Sequence, residues 1–111
     1  ECWGDGSPSR EFMYVDDLAD ACLFSILNFQ DAELVNIGSG QNIKIKDLAE
    51  SISKITGYKG SIYWDETKPN GTPDRPLDCS RIASLGWRPK YTLQKGLEES
   101  YEWFKENYKH S

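Results

Sequence analysis

This chain of 111 residues is bounded first by what it has little of. Histidine occurs once, at His110, and cysteine three times, at Cys2, Cys22 and Cys79, with no Cys-x-x-Cys pair. A zinc site needs clustered nitrogen or sulfur ligands and a disulfide framework needs paired cysteines, so this odd, widely spaced set supports neither. It reads as reduced thiols in a cytoplasmic protein. One histidine near the end of the chain leaves no usable Ser/His/Asp set, and no two carboxylates stand at a convincing spacing for acid-base work. Long apolar runs are missing too, with nothing near the about 18 residues that cross a bilayer, so no membrane partner is expected. Basic residues are the minority, 13 against 18 acidic ones, and the net charge of −5 is spread along the chain. That argues against nucleic acid, whose phosphates want a basic face, but not against a small phosphorylated ligand, for which one or two placed arginines suffice. The only methionine is Met13, inside an apolar run, and nothing before it resembles a signal peptide, so we expect a piece cut from a longer chain.

What is present fits one domain, with 38% hydrophobic and 28% charged residues. The stretch from Trp3 to Leu18 organises it. Gly4, Gly6 and Pro8 make a loop that carries Trp3 and ends in Arg10, and glycines let backbone N–H groups approach an anion closely. Arg10 reads as an anion clamp; the plainer alternative is a solvated surface arginine. Glu11 to Val15 has strand character. Asp16 then caps a helix whose first turn suits Asp16 and Asp17, with Leu18, Ala21, Cys22, Ser25, Ile26 and Phe29 on one face.

A short strand follows at Glu33 to Gly38. Gly38-Ser39-Gly40 invites comparison with the dinucleotide fingerprint, but Ile43 stands where the third glycine belongs, which favours a plain strand-to-loop turn. Ile43 to Ile45 is extended. Lys46 to Gly57 reads as an amphipathic helix with Leu48, Ile52 and Ile55 on one face and Gly57 as its stop. Ser61 to Asp65 has strand composition. The loop from Glu66 to Asp78 carries three prolines and a glycine, which stiffen it; with its lysine and arginine it is either a ligand clamp or a surface excursion. A short helix spans Ser80 to Gly86, with Asp78 and Ser80 able to cap it, and Trp87 to Tyr91 is extended, as the residue before Pro89 prefers. The last helix starts at Thr92 or Leu93 and reaches about Tyr108. Its stripe of Leu97, Tyr101, Phe104 and Tyr108 reads as core packing. Strand and helix alternate, so the fold class is α/β or α+β, with three or so helices and short strands.

The run Arg10-Glu11-Phe12-Met13-Tyr14-Val15-Asp16-Asp17-Leu18-Ala19 resembles the Arg-x-Phe-x-x-Val-Asp-Asp segment of extended short-chain dehydrogenases that act on nucleotide sugars. Two further matches narrow the resemblance to the C-terminal portion of the GDP-L-fucose synthase family. One is Trp3-Gly-x-Gly-x-Pro leading into Arg10. The other is Lys68-Pro69-Asn70-Gly71-Thr72-Pro73, followed by Leu77-Asp78, Leu85-Gly86-Trp87, Gly96-Leu97 and Tyr101-x-Trp103-Phe104-x-x-Asn107. The match covers nearly the whole chain.

This resemblance implies a single C-terminal substrate-binding fragment over residues 1–111, with the N-terminal dinucleotide-binding Rossmann half absent. The parent would epimerise GDP-4-keto-6-deoxy-D-mannose and reduce it to GDP-L-fucose with NADPH, as a homodimer. The family's Ser, Tyr and Lys set and its Cys and His acid-base residues match no position here, so the fragment is expected to hold no catalytic residues, bind no NADP(H) and be inactive alone. Trp3 and Arg10 match positions that contact the GDP-sugar, and Lys68, Asn70 and Arg75 belong to the same set. Asn70 replaces a frequent aspartate, Arg75 a common lysine, and Asp74 a usual basic residue. The alternatives are a fragment of another nucleotide-sugar epimerase or dehydratase, or a binding or assembly module. With its Rossmann half absent, the apolar strand edge at Leu34 to Ile37 is expected to promote self-association.

Overall fold

The computed structural model describes residues 1–28, 35–74 and 77–108. Among the described residues there are four helices and four two-residue strands, interspersed along the chain. In order they are β1 (Cys2–Trp3), β2 (Ser9–Arg10), α1 (Val15–Asn28), β3 (Ile43–Lys44), α2 (Ile45–Thr56), β4 (Trp64–Asp65), α3 (Ser80–Ser84) and α4 (Leu93–Asn107). The strands form two separate pairs. β1 runs parallel to β4 in the register Cys2 to Trp64, and β2 antiparallel to β3 in the register Ser9 to Lys44. This is the small α/β fragment that the alternation implies. Among the described residues no helix is long and apolar enough to cross a membrane.

Local chemistry sets the helix ends. Gly57 takes the left-handed conformation at φ +71° and stops α2, where Tyr58 N–H donates to Ser53 O at 3.0 Å. Thr92 caps α4 by accepting from Lys95 N–H at 3.1 Å. Ahead of α3 the carboxylate of Asp78 accepts from Ser80 N–H at 3.0 Å, while Ser80 itself is the first helical residue.

Several expected elements come out differently. Glu11 to Val15 is not a strand: extended pairing is confined to β2, and α1 opens at Val15, ahead of Asp16. Beyond Arg10 the segment has no strand beside it among the described residues, and the Tyr14 ring instead packs on Tyr91, centroids 4.5 Å apart. In Ser61 to Asp65 only Trp64 and Asp65 pair, for the same reason of limited partners. Glu33, Leu34 and Phe29 lie outside the described residues. Residues 35–38 form no strand, and Val35 and Ile37 pack against the core, so this part of the expected edge is turned inward. The α4 stripe is core only in its first half. Leu97 and Tyr101 are half-buried, whereas Phe104 and Tyr108 stack on each other at 4.8 Å and stay exposed.

The largest correction concerns α1. Of its expected inner face only Ala21 and Ser25 turn inward, and Leu18, Cys22 and Ile26 point to solvent. The helix is rotated because its inner side is fixed by carboxylates. Asp17, buried, accepts from Lys90 N–H at 2.9 Å and from Tyr91 N–H at 3.0 Å. Asp20, one turn on, accepts from Trp87 Nε1–H at 2.9 Å. These bonds lay the Trp87 to Tyr91 segment along α1 and set Trp87 beside Ala21 and Ile82, the three being the buried apolar residues among those described; Met13, Phe24, Val35, Ile37 and Cys79 pack around them.

Asp17→Ala leaves two amides without acceptors and is expected to lower stability by about 2–3 kcal/mol, read from the urea midpoint. The hydrogen bonds from Ser80 hold the Asp78 carboxyl below its ordinary value of 3.8. A depressed folded-state pKa means that this stabilisation is present above the ordinary value and is lost as pH falls through the lowered one. Unfolding midpoints measured from pH 6 to pH 2 are therefore expected to drop below about pH 4, less steeply in Asp78→Asn, which keeps an acceptor without a charge to titrate.

Candidate functional site

Two loops distant in sequence, residues 3–10 and 66–74, are joined edge to edge. Gly4 N–H donates to Asp65 O at 2.9 Å, extending the β1–β4 pairing. Asp5 N–H donates to the Asn70 side-chain oxygen at 2.8 Å, and Ser9 N–H to Pro73 O at 2.9 Å, with Ser9 and Asp74 forming a bridge. Arg10 completes the seam. Its Nη2–H donates to Thr72 O at 2.5 Å and its Nη1–H to Ser9 O at 2.7 Å.

The glycines of the first loop allow this approach. At Gly4, φ +83°, a Cβ would collide with the Asn70 amide; at Gly6, φ +77°, it would come within 2.6 Å of Lys46 Cβ and 2.8 Å of the Trp64 ring. Behind the loop, Ile45 N–H donates to Pro8 O at 2.9 Å and Lys46 N–H to Gly6 O at 3.0 Å. Two of the free N–H groups at the start of α2 are thus taken up in holding the loop. In the second loop the Asp65 carboxylate accepts from both Thr67 N–H, at 3.0 Å, and Thr67 Oγ1–H, at 2.5 Å.

Of the five residues singled out from sequence, four meet at this seam. Lys68 places its ammonium 5.2 Å from the centre of the exposed Trp3 ring. Arg10 and Asn70 both tie one loop to the other, a role the sequence did not display; an aspartate at position 70 could accept the same bond from Asp5 N–H. Arg75 lies outside the described residues. The hydrogen bonds from Ser7 hold the Asp5 carboxyl below its ordinary range, so the seam carries an anion beside its cations.

The Gly38 to Gly40 turn does not fit a dinucleotide pyrophosphate. Among the described residues no strand leads into it, a Cβ at Gly40 would meet nothing within 4 Å, and α2 starts only at Ile45 with its first two N–H groups engaged by Pro8 and Gly6. Among the described residues no three His, Cys, Asp or Glu side chains gather to hold a metal ion.

Sequence reasoning missed a groove of about 520 Å³ between Phe12 to Tyr14, the Ser39 to Ile43 turn and the start of α4. Pro89 and Gly96, both on its wall, were its available signals; it includes none of Trp3, Arg10 and Lys68. Nearby, Glu11 Oε2 is buried without a hydrogen-bond partner, and burial, then Glu11, raises the Cys79 thiol above its ordinary value.

Comparison with known proteins agrees with the motifs. Residues 1–38 match the NAD dependent epimerase/dehydratase family. GDP-L-fucose synthase 1 of Arabidopsis thaliana is 51% identical over 105 residues, which cover 95% of this chain and 32% of that protein. Among solved structures, a GDP-6-OMe-4-keto-L-xylo-heptose reductase from C. jejuni is 37% identical with a TM-score of 0.84, over 94% of this chain and 33% of that one. A GDP-L-fucose synthetase from Naegleria fowleri bound to NADP has a TM-score of 0.89 at 26% identity, over 96% of this chain and 34% of that one. The chain spans about a third of the length of the curated relatives it matches. It matches the C-terminal region of GDP-L-fucose synthases, within the extended short-chain dehydrogenase superfamily.

Proposed function

We propose that this chain is the GDP-sugar-binding portion of a GDP-L-fucose synthase. The joined loops carry the reading: two segments about 60 residues apart in sequence converge on an exposed tryptophan face with a lysine over it. The chemistry suits a nucleotide diphosphate. A flat ring offers a stacking surface to a base or sugar, and the Lys68 ammonium and the Arg10 N–H groups not bound to carbonyls can meet diphosphate oxygens. The amide nitrogen of Asn70 can donate to a hydroxyl or a base edge.

In this reading the parent subunit epimerises GDP-4-keto-6-deoxy-D-mannose and reduces it with NADPH, which supplies the hydride. The residues that hold the nicotinamide cofactor and move protons belong to the other two thirds of the subunit. This chain binds and orients the nucleotide end of the substrate, and is inactive alone. The single domain of residues 1–111 then serves as a substrate-binding unit, and the parent forms a homodimer.

Calorimetric titration with GDP, and with UDP and dTDP as controls, is expected to show GDP preference. Arg10→Ala should weaken GDP binding at least about tenfold, because a charge-assisted contact and the hold on Thr72 are lost together. Equal binding of the three nucleotides would favour another nucleotide-sugar epimerase or dehydratase. Binding that Arg10→Ala and Lys68→Ala leave unchanged would remove the seam as the site.

A further inference from the structure

Of the five asparagines in the chain, Asn70 is the one followed by glycine; after Asn28, Asn36, Asn42 and Asn107 stand Phe29, Ile37, Ile43 and Tyr108. A bulky side chain shields the backbone nitrogen of its own residue, and glycine leaves that nitrogen open. Asn70 also differs in what is held. The side-chain nitrogens of Asn28, Asn36 and Asn107 donate to Phe24 O, Asp78 O and Trp103 O. At Asn70 the held atom is the oxygen, which accepts from Asp5 N–H at 2.8 Å, and the residue is exposed in its loop. Gly71 has φ +83°, and within 4 Å a Cβ there would meet only Arg10 Nη2.

These features suit an internal reaction of the amide. The Gly71 backbone nitrogen, having lost its proton to solvent base, adds to the Asn70 side-chain carbonyl carbon, and a succinimide ring closes as the Cγ–Nδ2 bond breaks. The departing nitrogen takes up a proton and leaves as ammonia. Water then opens the ring at either carbonyl, giving aspartate or isoaspartate; nothing is oxidised or reduced. During the addition negative charge gathers on Oδ1, the atom to which Asp5 N–H already donates.

We propose that Asn70 is a self-modifying position, whose conversion to a carboxylate loosens the hold of the two loops on each other. The inference rests on the geometry of the seam and not on its ligand reading. Across the seam lies Asp5, its carboxyl held below its ordinary range by Ser7 first and by the Asn70 amide as well. A carboxylate at position 70 can still accept from Asp5 N–H. It has lost the N–H donors, however, and it sets a second negative charge beside the first. Isoaspartate also inserts a methylene into the main chain just ahead of Thr72, whose carbonyl Arg10 holds. Because ammonia is lost, the change runs one way, and the lifetime of the closed seam is written into its own sequence.

The chain can be incubated above and below neutral pH and each asparagine followed by peptide mass spectrometry that separates aspartate from isoaspartate. Asn70 is expected to convert at least about tenfold faster than Asn42, which is also exposed but precedes a β-branched residue, and faster above neutral pH than below it. Asn70→Asp supplies one product directly. In that variant amide hydrogen exchange at Gly4, Asp5 and Ser9, the donors that cross the seam, should quicken at least about threefold, with exchange inside α4 unchanged. Adding Asp5→Ser should restore slow exchange, since a hydroxyl can serve Ser7 N–H without a charge. Conversion of Asn70 no faster than that of Asn42 overturns the proposal. So does exchange across the seam that Asn70→Asp leaves unchanged.

Discussion

The Asp17 carboxylate and the two amides it accepts from are the constraint on which the rest of this fold hangs. With those bonds made, α1 can present only one side to the Trp87 to Tyr91 segment, and Asp20 follows one turn later to take the indole N–H of Trp87. The tryptophan then fills the space beside Ala21 and Ile82. Among the described residues only three apolar side chains are buried, and polar contacts supply much of the definition of this core. A carboxylate bonded to backbone amides specifies orientation where apolar packing alone would tolerate rotation.

The sequence was legible where local chemistry decides. The helix stop at Gly57, the start of the last helix at Thr92 or Leu93 and the loop glycines at 4 and 6 all follow from local backbone chemistry, and the structure uses each of them. It was illegible where a distant partner decides. Periodicity on α1 gave the apolar half as the inner one, because nothing in a single helix announces that Lys90 and Tyr91 will claim Asp17. The strands at Glu11 to Val15 and Ser61 to Asp65 were overdrawn for a related reason: strand composition is necessary for a ladder, but a neighbour has to be there.

The candidate site was half legible. Trp3, Arg10, Lys68 and Asn70 could be named from residue type and motif, and they do gather at one seam. What residue type could not convey is that Arg10 and Asn70 also hold the seam closed, since that depends on a backbone carbonyl at Thr72 and an amide at Asp5. Their contribution to any ligand is therefore partly architectural. The groove beside Tyr14 and Tyr91 had weaker signals, for its walls come from three segments with no shared motif.

The seam also bears on how such a protein can change. Its two halves interlock through groups that only work as a pair: Gly4 leaves room for the amide at position 70, and the guanidinium at position 10 meets a carbonyl whose placement depends on the turns around Asn70 to Pro73. Transplanting either loop by itself into a related scaffold would bring half of a lock without its counterpart. The joined geometry should therefore transfer, in recombination or in the laboratory, only when both segments travel together.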